Sequence, residues 1–209
     1  MSLNLGRAEQ PQKTFFEVKQ LFAQGMKLAI DLQLQVHDIC MISGVSGSGK
    51  SQFLKALADL IEHSGDVSLR DESQSSMPAP QWRQQVMFFS AETAWWSDLV
   101  KEHFEHLPSA EELKKIDLPH NILQLNPDTL SSGEKQRLAL LRGLQYQPKI
   151  LLLDEITANL DPASEQLVEA LVKQYIEQQA AAAIWISHDP HQAERLQTQS
   201  LVFKAETSA

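Results

Sequence analysis

The chain has 209 residues, of which 43% are hydrophobic, enough for one domain with a sizeable buried core. Its 18 basic and 27 acidic residues give a formal net charge of −9, which opposes non-specific binding to a phosphate backbone. We therefore expect no nucleic acid among its partners. No apolar stretch approaches the roughly 20 residues that cross a bilayer, so any work at a membrane requires a second chain that spans it.

The first third of the chain predicts strands followed by a helix. Residues 1–13 are polar and irregular, which indicates a flexible tail. Segments 14–23 and 26–36 partly alternate with period two, which favours antiparallel strands covered on one face. Residues 39–43 form an unbroken apolar run, typical of a strand buried on both faces. Apolar residues at helical spacing then predict a helix over 50–63.

The remaining chain predicts helices and then an alternating α/β pattern. Residues 71–80 are expected as a loop and 85–90 as a strand, after which 91–145 are expected as an inserted helical subdomain. Its predicted helices cover 97–107, 109–116 and 132–146. From residue 149 onward, strands and helices alternate, which predicts a mainly parallel sheet flanked by helices. We expect residues 14–209 to form a single domain.

A glycine-rich segment lies between the buried strand and its helix. The sequence GVSGSGKS at 44–51 satisfies G-x-x-x-x-G-K-[ST], the pattern of a phosphate-binding loop. Glycines let backbone N–H groups turn inward around phosphate oxygens, and the helix N-terminus adds positive partial charge. Lys50 is predicted to contact the β and γ phosphates, and the Ser51 hydroxyl to ligate Mg²⁺. The predicted phosphate-binding residues are Gly44, Ser46, Gly47, Ser48, Gly49, Lys50 and Ser51.

An acidic pair follows a second apolar strand. The segment ILLLDE ends in Asp154 and Glu155. An aspartate at that point is placed to hold Mg²⁺, and a neighbouring glutamate to act as general base toward the attacking water. Acidic residues at strand ends are usually only solvated, so this interpretation depends on the phosphate-binding loop being present as well.

A helix start that contains serine and glycine separates the possible classes of nucleotide-binding protein. LSSGEKQRLALLRGL, residues 130–144, places a hydroxyl and free N–H groups where an anion is favoured. This segment resembles the L-S-G-G-x-Q signature of the ATP-binding-cassette (ABC) family, with Ser132 in place of the first glycine. An ordinary helix cap is the alternative for the segment alone. The residues predicted to contact ATP here are Ser131, Ser132, Gly133 and Glu134.

The resemblance to the ABC family covers the chain from Phe16 to about Phe203, in the family's motif order. It implies a P-loop NTPase core with an N-terminal antiparallel β part and an inserted helical subdomain. It also implies that His188 is the histidine that reaches the γ-phosphate and that residues 158–161 run along a dimer contact. Phe22 is the expected adenine-stacking residue, although a buried strand position is the alternative.

One departure from the family concerns the segment after the strand at 85–90. The family carries a glutamine there, and this chain has Ala91, with Glu92 beside it. Either Glu92 takes over that role near Mg²⁺, or this link is missing. Trp95 and Trp96 follow, where the family's groove accepts a helix of the transmembrane subunit; ordinary burial is the alternative.

The sequence as a whole predicts the ATP-hydrolysing subunit of an ABC transporter. The resemblance implies two copies that sandwich two ATP molecules, a separate transmembrane permease, and a location on the cytoplasmic face of the inner membrane. Within the family, the stretches around WRQQV and the signature are similar to small ATPase subunits of iron-efflux or metal-resistance type. The alternatives are a soluble ABC ATPase of iron–sulfur assembly or DNA maintenance, and a P-loop small-molecule kinase.

Two histidines, His103 and His106, lie at i and i+3 on the predicted helix 97–107. This spacing suits a shared metal, but nothing else in the sequence completes such a site. We therefore interpret the pair as part of a solvated helix face.

Overall fold

The computed structural model describes residues 14–158 and 160–203, and the tail predicted at 1–13 lies outside them. Nine strands form two sheets, and six α-helices with several short 3-10 helices accompany them in these ranges. The α/β class predicted from the sequence is confirmed. The strands are β1 Phe16–Ala23, β2 Ile30–Leu34, β3 Ile39–Gly44, β4 His63–Leu69, β5 Glu72–Ser73, β6 Val86–Ser90, β7 Ile150–Asp154, β8 Ala182–Ile186 and β9 Gln199–Phe203.

The helices pack between and beside these strands. They are α1 Lys50–Leu57, α2 Ala79–Gln85, α3 Ala110–Lys115, α4 Ser132–Leu144, α5 Pro162–Gln179 and α6 Pro190–Leu196. Among the residues that the structure describes, no helix combines the length and apolar character needed to cross a membrane.

The larger sheet is parallel and carries the predicted loops at one edge. Its strand order is β6-β7-β8-β3-β9, and each neighbouring pair is parallel. Four residues of β7 and all five of β8 are buried, because helices cover both faces, as the continuous apolar runs predicted. The carboxyl ends of β3, β7 and β8 therefore lie side by side, and the segments that follow them meet there.

The smaller sheet is antiparallel, in the order β2-β1-β4-β5. Strand β4 was missed in the sequence, where a helix was predicted to run over 50–63. The helix ends at Leu57, and Asp59 takes a left-handed backbone conformation with φ of 55° that stops it. Leu60 lies at the helical spacing that predicted burial along the longer helix, but it is exposed. His63 then pairs with Ala23, because β1 has a second edge that β4 covers.

Between β6 and β7 the described chain is helical, as predicted, but less regular. In place of the helix predicted over 97–107 there is a 3-10 helix of four residues, Val100–His103. The segment packs around its own hydrophobic cluster, which includes Val100, Leu113, Ile122 and Leu138. The boundaries of the subdomain at 91 and 145 stay a prediction.

Candidate nucleotide site

The phosphate-binding loop connects β3 to α1, as the sequence predicted. Gly44 has a φ of 136°, and a Cβ there would lie 2.2 Å from the Phe203 carbonyl oxygen of β9. Gly49 has a φ of 97°, and a Cβ there would lie 2.7 Å from the Gly25 carbonyl oxygen. Both positions thus require glycine for conformation and for space. The loop passes directly into the first turn of α1, whose free N–H groups suit an anion.

Lys50 is buried at the start of α1 and folds back over the loop. Its Nζ donates hydrogen bonds to the carbonyl oxygens of Gly44 at 2.9 Å and Val45 at 3.1 Å. An ammonium group has three N–H bonds, so one is left for a phosphate oxygen. Ser48 is also buried, and its Oγ has no hydrogen-bond partner among the described residues. Ser46 and Gly47 lie on the exposed side of the loop.

The two residues predicted to hold Mg²⁺ are in contact. The Ser51 hydroxyl donates to Asp154 Oδ1 at 3.1 Å, although the two lie on different elements. Burial raises the pKa of Asp154 above its ordinary value, and the hydrogen bond from Ser51 only partly opposes this. Among the described residues no cation lies at bonding distance from the Asp154 carboxylate. This half-buried carboxylate and the Ser51 hydroxyl supply oxygen ligands, which Mg²⁺ prefers.

Glu155 and His188 form a pair at the end of β7 and β8. His188 Nε2 lies 2.9 Å from Glu155 Oε1. The Glu155 backbone has a φ of 53°, an uncommon conformation for a residue with a side chain, and its N–H donates to the Ile186 carbonyl oxygen. Both side chains are partly open to solvent. The arrangement presents a carboxylate and an imidazole together toward the space in front of the sheet edge.

The signature segment forms a capped helix start. Ser131 is the N-cap of α4: its Oγ accepts from the Glu134 N–H at 3.3 Å, and the Glu134 carboxylate accepts from the Ser131 N–H at 2.8 Å. The hydrogen bonds from Ser131 hold the pKa of Glu134 below its ordinary value. Both serines, Ser131 and Ser132, are exposed. In the described part of the chain, no hydrogen bond links residues 131–134 to the phosphate-binding loop.

Phe22 lies beside the end of the phosphate-binding loop. This residue is 41% exposed, whereas the neighbouring Phe15 and Phe16 are buried. An open cavity of about 830 Å³ contains Phe22, Gly25 and Gln52 of α1 in its lining. Exposed aromatic surface next to the loop is available for stacking on a base.

The segment after β6 leads away from the sheet edge into a groove. The Ala91 N–H donates to the Asp154 carbonyl oxygen at 3.1 Å, so the position of the missing glutamine adjoins the acidic strand end. Glu92 lines a cavity of about 360 Å³ together with Trp96 and Arg142. Trp96 is 68% exposed. The Arg142 guanidinium lies over the rings of Trp95 and Trp96, at 4.7 and 4.9 Å from their centres.

His103 differs from its prediction. It is only 5% exposed, so the interpretation as part of a solvated face is wrong for this residue. Its Nε2 accepts hydrogen bonds from the Trp96 N–H at 2.9 Å and the Ser97 N–H at 3.0 Å. His106 is exposed and lies apart from this turn. The burial of His103 could not be predicted from the sequence, because a histidine that accepts hydrogen bonds from the N–H groups of a preceding turn follows no periodic pattern. The four-residue 3-10 helix is also too short to show one.

These elements define a class. The site has the arrangement of a P-loop nucleoside triphosphatase. A buried parallel strand leads into a glycine loop that a lysine and a helix close, and an aspartate and a glutamate lie at the end of a nearby strand. The family model described as ABC transporter matches residues 28–158. The chain belongs to the ABC transporter family, as the resemblance predicted, and it is an ATP-hydrolysing subunit of that family.

Individual relatives agree with this assignment. The chain is 35% identical over 172 residues to the probable iron export ATP-binding protein FetA of Escherichia coli strain K12, covering 77% of this chain and 76% of that protein. It is 32% identical over 190 residues to the thiamine import ATP-binding protein ThiQ of Aliivibrio fischeri, covering 79% and 76%. The solved structure of cbiO1 from Clostridium perfringens, part of the ABC transporter complex cbiONQ, has the same fold, with a TM-score of 0.75 at 20% identity over 91% of this chain and 85% of that chain.

Proposed function

We propose that two copies of this chain enclose two ATP molecules and drive a separate transmembrane permease that exports a metal, with iron as the first candidate. The observation that carries the dimer is the exposed helix start at Ser131, which has no bond to the phosphate-binding loop of its own chain. A second copy, related by a two-fold axis, brings that helix start against the phosphates. The cargo assignment is supported by the similarity to the probable iron export protein FetA.

The chemistry is proposed to use residues of three strand ends. The loop N–H groups and the free N–H of Lys50 bind the β and γ phosphates. Ser51 and Asp154 would hold Mg²⁺, which neutralises charge on the phosphate oxygens. Glu155 takes the proton of the attacking water. His188, hydrogen-bonded to the Glu155 carboxylate, positions this water at the γ-phosphate. ADP and phosphate then form, and the loss of the bridging γ-phosphate weakens the dimer.

Recognition of the base and coupling to the permease are proposed for two other regions. Phe22 stacks on adenine, and its exposure and the adjoining cavity support this role. The groove at Glu92, Trp96 and Arg142 receives the permease, which places the subunit on the cytoplasmic face of the inner membrane. A direct contact of Glu92 with Mg²⁺ stays a prediction. If Glu92 replaces the missing glutamine, Glu92→Ala reduces the permease-stimulated ATPase rate while Glu177→Ala, an exposed change on α5, does not.

The experiment that tests the function is trapping of the dimer. Glu155→Gln keeps the shape of the side chain but removes the base, so we expect turnover to fall by about 10²- to 10⁴-fold. ATP should still bind and hold a dimer that light scattering detects. Glu177→Gln is the matched control, because Glu177 is exposed on α5. Hydrolysis by Glu155→Gln at the unaltered rate contradicts the role of Glu155, and a monomer at saturating ATP contradicts the shared site.

The proposed metal export is tested by identifying the membrane partner and its response to cations. Co-expression with permease genes followed by purification should yield a membrane protein bound to the subunit, and Fe²⁺ should stimulate ATP hydrolysis of that complex in vesicles. Zn²⁺ and Mn²⁺ serve as comparison cations. A stable soluble partner without any membrane protein contradicts the transport proposal and favours the soluble ABC ATPase. Equal rates with and without every cation contradict the cargo assignment alone.

A further inference from the structure

A buried amide lies behind the Glu155–His188 pair. Gln192 follows His188 by four residues on α6, a helix of seven residues, and its side chain is 0% exposed. A buried amide must find partners for both its N–H bonds and its oxygen, since an unpaired buried polar group is destabilising. The partners of Gln192 therefore show which elements it holds together.

The first partner lies two residues after Glu155. The Thr157 hydroxyl donates to Gln192 Oε1 at 3.3 Å, and Gln192 Nε2 lies 3.1 Å from the same hydroxyl oxygen. Thr157 is itself buried. Gln192 thus joins the turn that leaves β7 through Glu155 to the helix that leaves β8 through His188.

The orientation of this amide is fixed by charges on α5. Gln192 Nε2 donates to Glu169 Oε1 at 3.1 Å and lies 3.3 Å from Glu165 Oε1. Arg195 binds the same two carboxylates, at 2.7 Å for Glu169 and 3.0 Å for Glu165. Burial raises the pKa of Glu169, but the hydrogen bonds from Arg195 and Gln192 outweigh it, and the net pKa lies below the ordinary value. The two carboxylates hold the nitrogen on their side, and the Thr157 hydroxyl lies within hydrogen-bond distance of both polar atoms of the amide.

The pair in front of this link is open. A cavity of about 300 Å³ is lined by Glu155, Thr157, Glu165 and His188, so space adjoins the pair on one side. Both reactive side chains are partly exposed, and their relative position must be held by the segments that follow each strand. Thr157 and Gln192 form a buried contact between those two segments.

We propose that Gln192 is a positioning residue for ATP hydrolysis, whose buried amide locks the turn after Glu155 to the helix after His188 and keeps the two reactive side chains together. This inference rests on the roles proposed above for Glu155 and His188. Gln192 is fully buried, so it acts through Thr157 and not on the reacting groups directly. A displacement of about 1 Å in a reacting group costs roughly a hundredfold in rate, which sets the expected scale.

The first test separates binding from turnover. Gln192→Leu keeps the size of the side chain and removes the amide, so we expect kcat to fall about ten- to a hundredfold while KM for ATP stays within about twofold. Gln197→Leu is the matched control, because Gln197 is exposed at the end of α6. Thr157→Val should show the same selective fall in kcat, and the double variant no further fall, since the two residues act as one unit. An unchanged kcat in both single variants overturns the proposal, and so does a rise in KM as large as the fall in kcat.

A second variant, Gln192→Glu, tests the same role in case Gln192→Leu does not fold. Gln192→Glu places a carboxyl group against Glu165 and Glu169 of α5, with Arg195 on its own helix and Asp189 at the start of that helix. Only the protonated form donates to a carboxylate and accepts from Thr157, as the amide does. The ratio of variant kcat to unmodified kcat should therefore rise as the pH is lowered. A ratio that does not change with pH overturns the proposal, whereas failure of the Glu155→Gln experiment bears on the function itself.

Discussion

The Glu155 carboxylate and the His188 imidazole are 2.9 Å apart, although 33 residues separate them in sequence. The contact follows from the parallel pairing of β7 with β8, which sets Asp154 opposite Ile186. The residues that leave these two strands at the same sheet edge are then neighbours. A carboxylate and an imidazole are thus brought together by strand register.

The first prediction concerns His188. His188→Ala removes the imidazole next to Glu155, and we expect kcat to fall by about 10²-fold or more while ATP binding is retained. Single-turnover hydrolysis and nucleotide titration measure the two quantities. His191→Ala is the control, because His191 lies three residues further on, with its side chain 81% exposed. Equal rates for the two variants would show that His188 has no part in the chemical step.

Lys50 gives a prediction on affinity. Its ammonium group closes the loop on Gly44 and Val45 and has a further N–H for phosphate. Hydrogen bonds to charged groups contribute about 1.5–3 kcal/mol, so Lys50→Ala should weaken ATP binding at least tenfold. Calorimetric titration with ATP measures it, and Lys55→Ala on the same helix is the control. If adenosine binds these variants with unequal affinity, the effect of Lys50 is not confined to the phosphates.

The sequence predicted those parts of the site that lie close together along the chain. The phosphate-binding loop, the Asp154–Glu155 pair and the helix start at 131–134 each consist of adjacent residues whose chemistry and flanking elements are visible in one window. The missed features depend on contacts between distant segments. Strand β4 forms because β1 has a second edge to pair. Gln192 is buried and hydrogen-bonded because Thr157 and α5 lie against it. Neither relationship leaves a periodic signal.

The helix cap at Ser131 gives a prediction on stability and pKa. Ser131→Ala removes the hydroxyl that accepts from the Glu134 N–H, and capping serines contribute about 1 kcal/mol. The same change should raise the pKa of Glu134 toward its ordinary value of 4.5, which an NMR titration of the carboxyl measures. Because the folded-state pKa is lowered, ionised Glu134 stabilises the fold above its ordinary pKa. This contribution is lost as the pH falls through the folded-state value.

The stability difference between Ser131→Ala and the unmodified chain should therefore shrink in acid. Thermal unfolding at neutral and acidic pH measures this difference. Ser132→Ala is the control, since it changes a serine in the first turn of α4 without touching the cap. A difference that grows toward low pH contradicts the interpretation of the Ser131–Glu134 contact as an ionic cap.

His103 gives the last prediction, on the turn that exposes Trp96. A phenylalanine at this position keeps a ring in the buried space but has no atom to accept from the N–H groups of Trp96 and Ser97. We expect His103→Phe to increase the hydrogen-exchange rate of these two amides and to lower the permease-stimulated ATPase rate, while the basal rate is retained. His106→Phe is the matched control, because His106 is exposed. Unchanged exchange at both amides would contradict the role of His103 in holding the turn, and normal stimulation despite faster exchange would show that the permease docks without an ordered Trp96.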